Sequence, residues 1–363
     1  MSAPIRVAVV GTGGIAEAHL YAYQRAEDRA QLVAVVDIVE ERARRAAATF
    51  GVPDISTFAE VLARPDVDAV SICTPPSVHV QLSVAALNAG KHVLCEKPVS
   101  ATLSGLDEIA EAARASGKVF SGVFQLRFGK GAQQLRSLVD DGRMGRLHLG
   151  IADTLWHRDA AYFSVPWRAT WADQCGGVQV SQAVHLIDAL LWYLGKPVSV
   201  FAHSTSFRGL TECEETSSAL VRFESGAIGQ VTSTVTAFGP EKSRLEIYGT
   251  ELSAVSSGPV YEATAEPFAI GAEDTNRALA IEHELEERVP KGFRMLHRGQ
   301  VEDFVAAVQD SQTPLIGIPE CREALQVTTA IYKSSMTGAA VTLPLAPDDP
   351  WYSALPPAGF GLI

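Results

Sequence analysis

The sequence predicts an α/β protein of two domains: an N-terminal domain with a doubly wound parallel sheet, and a C-terminal α+β domain with an open, largely antiparallel sheet. The chain has 363 residues, too many for one ordinary core. Residues 1–125 alternate short apolar runs with helical patterns, as parallel strands joined by helices do. Residues 126–363 contain several strands in which polar and apolar residues alternate, which is typical of half-exposed antiparallel strands.

The N-terminal pattern predicts five strands and four helices. The strands are expected at 5–10, 31–37, 67–73, 92–95 and 119–123, and the helices at 14–26, 40–50, 78–89 and 103–116. Because strands and helices alternate along the whole stretch, the parallel arrangement is the one that they favour.

The C-terminal pattern predicts one sheet backed by helices. Strands are expected at 147–155, 198–206, 217–223, 227–236 and 244–248, and helices at 131–140, 181–194, 300–309 and 319–337. The last two helices, at about 300–338, are expected to pack back toward the first domain. The acidic stretch 259–291 has no periodicity that assigns it to an element.

Charge and composition exclude several classes of protein. With 30 Lys and Arg against 42 Asp and Glu, the net charge of −12 disfavours nucleic acid and anionic membranes as partners. No apolar run approaches the roughly 20 residues that cross a bilayer. The five scattered cysteines form no CxxC pair, so we expect free thiols, no metal site, and a cytoplasmic protein without a signal peptide.

A glycine turn lies between the first strand and the first helix. Gly11, Gly13 and Ala16 follow the order G-x-G-x-x-A. The first glycine permits a tight turn, the second lets the backbone approach a pyrophosphate, and the alanine allows close helix–strand packing. We expect Thr12, Gly14 and Ile15 to contact the dinucleotide as well, because free N–H groups of the helix start attract phosphate.

Asp37 ends the second predicted strand, 21 residues after Ala16. A carboxylate there accepts hydrogen bonds from the adenosine ribose and repels a 2′-phosphate, which favours NAD over NADP. The alternative is that Asp37 only caps the following helix.

The loop after the third strand contains Thr74, Pro75 and His79. Ligands of such sheets bind beyond the carboxyl ends of the strands, so these residues are expected to line the nicotinamide. For His79, a structural role in a proline-stiffened turn is the alternative.

Glu96, Lys97 and Pro98 follow the fourth strand at the same edge of the sheet. A lysine at this position can hold a substrate hydroxyl and favour its alkoxide. We therefore expect Lys97 to be catalytic, and Glu96 and Lys97 to contact the cofactor.

The glycine turn, the Glu-Lys-Pro motif and the stretch GGVQVSQAVHLIDALLWYLG (residues 176–195) together resemble the glucose–fructose oxidoreductase / inositol dehydrogenase / MocA (Gfo/Idh/MocA) family. The resemblance spans nearly the whole chain. It implies that Lys97 is the catalytic lysine and that His185 is its acid/base partner. Family members that oxidise polyols usually carry a carboxylate four residues before this histidine, where this chain has Ser181, a residue that can hydrogen-bond to an imidazole but cannot stabilise its cation.

The aromatic-rich run at 156–174 resembles a segment that lines the sugar pocket in one branch of the family. Trp156 and Tyr162 could stack on a sugar, and His157, Arg158 and Arg168 could bind hydroxyls or a carboxylate. The expected substrate contacts are Lys97, Arg127, Trp156, His157, Arg158, Tyr162, Ser181, Gln182 and His185. A connection that merely packs beneath the helix is the alternative for this run, and Asp188 is expected to be structural.

The resemblance implies an NAD-dependent dehydrogenase or keto-sugar reductase that transfers a hydride between nicotinamide and a secondary hydroxyl or ketone of a sugar, an inositol or a glycoside. A redox-neutral sugar-processing enzyme and a non-catalytic dinucleotide-binding sensor remain as alternatives. Because an open sheet leaves one face uncovered, we also expect a homodimer or homotetramer.

Overall fold

The computed structural model describes residues 3–26, 28–258, 262–287 and 296–355. The chain divides into two compact units, which are described separately. Unit 1 comprises Met1–Phe124 and His297–Cys321, and unit 2 comprises Gln125–Leu296 and Arg322–Ile363. The stretch His297–Cys321 thus belongs to the same unit as the N-terminal part, although it lies far away in the sequence.

The strands and helices alternate as far as residue 122, and most of the later strands follow one another directly. The strands are β1 (Ile5–Val10), β2 (Ala30–Val36), β3 (Ala69–Ile72), β4 (His92–Cys95), β5 (Phe120–Gly122), β6 (Leu147–Leu155), β7 (Pro197–Thr205), β8 (Thr216–Phe223), β9 (Ile228–Thr234), β10 (Lys242–Gly249), β11 (Ser253–Gly258), β12 (Ala269–Gly271) and β13 (Val341–Thr342). The helices are α1 (Gly14–Gln24), α2 (Glu40–Phe50), α3 (Phe58–Ala63), α4 (His79–Asn88), α5 (Leu103–Ser116), α6 (Lys130–Asp140), α7 (Ala160–Phe163), α8 (Trp171–Gln174), α9 (Val184–Leu194), α10 (Thr275–Glu287), α11 (Leu296–Gln309) and α12 (Ile318–Thr337).

Unit 1 contains a parallel sheet in the order β2-β1-β3-β4-β5. Its strands are apolar on both faces, since helices cover both sides of such a sheet. Val7 and Val9 of β1 share a core cluster with Leu20 of α1, and Phe304 of α11 packs into the same cluster. The strand order reverses next to β1, which places the end of β1 at the point where ligands of doubly wound sheets bind.

Unit 2 contains a sheet of eight strands in the order β12-β11-β10-β6-β9-β8-β7-β13. The β6–β9 pair is parallel and the other pairs are antiparallel. Glycines in the central strands allow α9 to lie close to one face: a Cβ at Gly150 would lie 2.4 Å from Leu190 Cδ1, and one at Gly229 would lie 3.0 Å from Leu190 Cδ2. The predicted fold class is confirmed.

Several details differ from the predicted elements. The single helix expected at 181–194 is a π-helix at Gln179–Ala183 followed by α9. Helix α10 and strands β11 and β12 lie in and before the acidic stretch that carried no clear periodicity; residues 259–261 and 288–291 of that stretch lie outside the described residues. The short helix α3, whose Thr57 and Glu60 form a reciprocal capping box, was also missed.

A search of the described residues finds no helix that is long and apolar enough to cross a bilayer. The longest one, α12, has 20 residues, but charged side chains interrupt it.

Candidate active site

The glycine turn has the geometry that the sequence predicts. Gly11 has a φ of +87°, and a Cβ at this position would lie 2.7 Å from the carbonyl oxygen of Cys73, so only glycine fits between the ends of β1 and β3. At Gly13 and Gly14, an added Cβ would meet no atom within 4 Å. The backbone N–H groups at the start of α1 are therefore accessible to a phosphate group. Ile15 is exposed on the first turn of the same helix.

Asp37 links the glycine turn to the end of β2. Its Oδ2 accepts hydrogen bonds from the backbone N–H and the hydroxyl of Thr12, both at 2.9 Å, and its Oδ1 accepts one from the N–H of Val39 at 2.8 Å. Asp37 thus holds the glycine turn and the turn that leads into α2, but the N-cap of α2 is Val39 and no side chain caps this helix, so the alternative role as helix cap is not observed. The ribose contact stays a prediction. Ile38, which the sequence reasoning did not single out, is fully exposed beside it and offers an apolar surface.

His79 is held by the protein's own backbone. Its Nδ1 lies 2.7 Å from the carbonyl oxygen of Pro98, its Nε2 lies 2.8 Å from that of Thr74, and the side chain is completely buried. Burial lowers the pKa of His79, against the effect of the two carbonyls. These contacts correct the expected cofactor contact: His79 fastens the loop after β3 to the segment after Lys97. Pro75 lies half-buried in this loop, and the buried Oγ1 of Thr74 has no hydrogen-bond partner among the described residues.

Glu96 is the centre of a buried polar network in unit 1. Its Oε1 lies 3.0 Å from Nε2 of His19 in α1 and 3.6 Å from Nε2 of His297 in α11. Burial alone would raise the pKa of this carboxyl, but the two imidazoles outweigh it and hold the pKa well below the usual range. Burial lowers the pKa of His19, against the raising effect of Glu96, and the Nδ1 of this imidazole lies 2.8 Å from the Ser71 hydroxyl oxygen.

The other oxygen of Glu96 supports the predicted catalytic residue directly. Oε2 accepts the backbone N–H of Lys97 at 3.1 Å, while the Glu96 side chain is almost completely buried. The Glu96 carboxylate is thus bound within the protein core, and the expected cofactor contact of Glu96 stays a prediction. The three possible ligand atoms of His19, Glu96 and His297 lie within 4.8 Å of one another, yet a proton between His19 and Glu96 accounts for their short contact without a metal ion.

In unit 2, the π-helix Gln179–Ala183 leads into α9, the helix that carries His185. Ser181 donates its hydroxyl hydrogen to the carbonyl of Gly177 at 2.7 Å. A hydroxyl has one proton, so Ser181 remains only an acceptor toward any further group. His185 follows at the start of α9 and is buried. Short π-helical segments such as Gln179–Ala183 are frequent at functional sites.

A buried carboxylate fixes the start of this segment. Glu214 accepts the N–H groups of Gly177 and Gln179, both at 2.9 Å, and the hydroxyl of Tyr332 at 3.1 Å. Gly177 must be glycine, because a Cβ there would lie 2.0 Å from the Glu214 carbonyl oxygen. Burial raises the pKa of Glu214 to about 7, against these hydrogen bonds. Local sequence patterns do not indicate this support, since Glu214 is far from Gly177 along the chain.

Arg127 does not have the geometry expected of a substrate-binding residue. Its Nε and one terminal nitrogen each donate to Asp188 at 2.8 Å, and both side chains are buried. The guanidinium also lies 5.3 Å from the ring of Trp192. The expected substrate contact of Arg127 is thus corrected to a buried ion pair, and the structural role expected for Asp188 agrees with it.

The first residues of the aromatic-rich run, Trp156, His157 and Arg158, pack against other parts of unit 2. Trp156 is 2% exposed and donates its indole N–H to Ser243 of β10 at 3.1 Å, so stacking on a sugar is corrected to packing at the sheet. The ring of His157 lies 4.8 Å from that of Phe238. Arg158 forms an ion pair with Glu241 and covers the Trp156 ring. These contacts favour the alternative of a packed connection for this part of the run.

The middle of the run joins the helix of His185. Gln182, three residues before His185, approaches the Tyr162 hydroxyl with its Nε2 at 3.4 Å. The Arg168 guanidinium lies 4.2 Å from the centre of the Tyr162 ring. Tyr162 and Gln182 were predicted as substrate contacts, and the structure brings them together with Arg168.

Two family models cover these two parts of the chain. The oxidoreductase family model with an NAD-binding Rossmann fold matches residues 5–124, and the GFO/IDH/MocA C-terminal domain model matches residues 132–255. The chain belongs to the Gfo/Idh/MocA family. The resemblance derived from the sequence is thereby confirmed.

Relatives in the Gfo/Idh/MocA family are oxidoreductases of sugars and polyols. The D-glucoside 3-dehydrogenase of Escherichia coli is 35% identical over 56% of this chain and 58% of its own length. The myo-inositol 2-dehydrogenase of Thermotoga maritima is 26% identical over 91% of this chain and 96% of its own. The WlbA dehydrogenase of Bordetella pertussis, solved with NADH and UDP-GlcNAcA, is 26% identical with a TM-score of 0.82, covering 94% of this chain and all of that one.

This Gfo/Idh/MocA protein is therefore an NAD-dependent oxidoreductase. The predicted cofactor, NAD, is confirmed by the match of unit 1 to an NAD-binding model. The roles of individual residues are not tested by these comparisons.

Proposed function

We propose that this enzyme oxidises a secondary ring hydroxyl of a sugar, an inositol or a glycoside, in a reversible reaction. The carrying observation is that Lys97 follows β4 at the sheet edge of the glycine turn, with its backbone N–H bound to the buried Glu96 carboxylate. A catalytic group must be held within a fraction of an ångström to act well, and the Glu96 network supplies that rigidity.

The residues present fit the cofactor. Open space at Gly13 and Gly14 suits a pyrophosphate, the buried Thr74 hydroxyl lacks a partner among the described residues, and the exposed Ile38 suits an adenine face. NAD, when bound, accepts the hydride from the substrate carbon. Asp37 is proposed to bind the ribose and to disfavour the 2′-phosphate of NADP.

The remaining chemistry is assigned to two side chains, Lys97 and His185. Lys97 is proposed to donate a hydrogen bond to the reacting oxygen, which favours the alkoxide over the alcohol. His185 is proposed to exchange the proton of that hydroxyl, so that the alcohol loses a proton and a hydride and becomes a ketone. Ser181 replaces the carboxylate that usually supports this histidine, and its hydroxyl already donates to Gly177. The burden of stabilising the developing charge therefore falls more heavily on Lys97.

The proposed function is tested by following NADH formation with inositols, hexoses, sugar acids and glycosides. We expect turnover of at least one ring-hydroxyl substrate, with a kcat/KM that is at least about tenfold higher with NAD than with NADP, a difference of about 1.4 kcal/mol in transition-state free energy. Aliphatic secondary alcohols serve as the control for a specific ring site. Bound NAD without turnover of any sugar or polyol would contradict the proposal.

A homo-oligomer joined through the open sheet is proposed as the assembly. The outer sheet face, which we define by Phe201, Leu220 and Ile228, carries large apolar side chains that are 41%, 51% and 47% exposed. Phe201 and Leu220 are direct cross-strand neighbours on β7 and β8. An apolar patch of adjacent side chains on a sheet is typical of a subunit interface.

Leu220→Glu is expected to weaken this assembly, because it places a charge at the centre of the outer sheet face. Light scattering after size exclusion should show a dimer or tetramer of the 38.7 kDa chain for the wild type, and a shift toward monomer for the variant. Leu279→Glu is the matched control, since Leu279 is 58% exposed on α10, outside this face. A monomeric wild type would overturn the proposed assembly.

A reducing compartment such as the cytoplasm is the proposed location. All five cysteines are buried as free thiols, which is the usual state where disulfides do not persist.

A further inference from the structure

Arg168 differs from the other arginines around the aromatic-rich run because no described carboxylate forms an ion pair with it. Arg127 pairs with Asp188, Arg158 with Glu241, and Arg208 with Glu215. Within the described part of the chain, no carboxylate forms an ion pair with Arg168, and its buried Nε has no hydrogen-bond partner. Its guanidinium is covered instead by the rings of Tyr162 and Trp167, at 4.2 and 4.9 Å from their centres.

We propose, on the basis of the sugar oxidoreductase function above, that Arg168 binds an anionic group of the substrate, so that the enzyme acts on a sugar carrying a carboxylate or a phosphate. The Arg168 side chain is half-buried, with its Nε removed from water, and burying part of a guanidinium is costly unless an anion or another hydrogen-bond acceptor replaces the water. The planar, charged fork of arginine matches the geometry of carboxylate and phosphate oxygens.

The surroundings of Arg168 connect this cation to the proposed proton-exchanging residue. Tyr162 lies against Arg168 and within 3.4 Å of Nε2 of Gln182, which precedes His185 by one helical turn. The buried Oε1 of Gln182 likewise has no hydrogen-bond partner among the described residues. A cationic donor and a neutral acceptor, both without a partner among the described residues, thus belong to side chains that contact the same tyrosine. A sugar acid or sugar phosphate meets both needs, because its anion pairs with Arg168 and a hydroxyl donates to Gln182.

Position and charge together favour an anion over a further neutral hydroxyl. Asp173, the acidic residue that follows Arg168 most closely in the sequence, accepts the Thr170 hydroxyl at 3.2 Å at the start of α8. The chain as a whole carries a charge of −12, which repels anions at long range. A specific anion site therefore requires a local cation that no protein carboxylate neutralises, and Arg168 meets this condition.

The test compares substrates that differ only in charge: methyl β-D-glucoside with methyl β-D-glucuronide, and glucose with glucose 6-phosphate. We expect the wild type to prefer one anionic member by at least about tenfold in kcat/KM, the effect expected of a charged hydrogen bond. The comparison with the glucuronide tests for a carboxylate, and the comparison with glucose 6-phosphate tests for a phosphate. Arg168→Gln should remove this preference mainly by raising the KM of the anionic substrate, and Arg168→Lys should restore part of it.

Calorimetric titration of the NADH-loaded enzyme separates binding from turnover, because NADH and an alcohol cannot react with each other. Anion-selective binding that Arg168→Gln abolishes supports the inference, even if the enzyme turns over no sugar. Such binding without any turnover would count against the proposed function and not against the inference. Turnover of a neutral sugar at least as fast as its anionic partner, with no selective loss in Arg168→Gln, would overturn the inference and leave the proposed function intact.

Discussion

Replacing Lys97 with methionine is expected to lower kcat by about 10²–10⁴-fold, the usual range for loss of a positioned acid–base group. Methionine keeps the length of the aliphatic chain but removes the ammonium group. The backbone N–H of residue 97 is retained, so the hydrogen bond to Glu96 and the buried network of His19 and Ser71 remain in place. The measurement is NADH formation with the best substrate of the sugar panel.

The control for this variant is cofactor binding. The dissociation constant of NADH, from its fluorescence on binding, should change by less than about threefold, since the glycine turn is untouched. His185→Gln should also lower kcat, but by less, because Ser181 cannot stabilise an imidazolium in the wild type either. A Lys97→Met enzyme with more than about a tenth of the wild-type kcat would contradict the assigned role of Lys97.

Features that depend on local sequence could be predicted well. The strand 147–155 and the helix 103–116 have the predicted bounds, because their apolar periodicity and flanking residues act within one element. The glycine turn was predicted from its spacing, and the contact of Gly11 with Cys73 explains why the spacing matters. Short elements such as α3 and β12 escaped because a few residues carry too little periodicity.

Pairings between distant residues could not be predicted from the sequence. Glu96 is surrounded by His19 and His297, and 77 residues separate His19 from Glu96. The sequence therefore showed Glu96 only as a neighbour of Lys97, and its place at the centre of a buried network could not be predicted. Trp156 was misjudged for a similar reason: its partner, Ser243, is on a strand 87 residues away.

The π-helix before His185 could not be predicted from local sequence patterns either. Its N-terminal N–H groups are held by Glu214, whose own environment depends on Tyr332 of α12. A sequence motif describes which residue precedes His185, but the turn geometry depends on this remote carboxylate. Even with the family resemblance in hand, the orientation of Ser181 toward Gly177 could be obtained only from the structure.

The buried pair of Arg127 and Asp188 leads to the second large expected effect. Asp188→Leu leaves a buried guanidinium without its anion, so we expect the free energy of unfolding to fall by about 3–5 kcal/mol in urea denaturation. Asp188 is completely buried in α9, and Arg127 is 4% exposed, so little water can compensate. Arg127→Met should cost a similar amount, because it removes the guanidinium that binds the buried carboxylate through two hydrogen bonds.

The double variant Arg127→Met/Asp188→Leu distinguishes the structural role from the substrate role that the sequence suggested for Arg127. Apolar side chains of similar volume replace a buried ion pair at little net cost, so the double variant should regain most of the lost stability. If Arg127 serves only this ion pair, the KM of the regained enzyme should stay within about threefold of the wild type. If the double variant regains its stability but its KM rises more than tenfold, Arg127 binds the substrate as the sequence suggested.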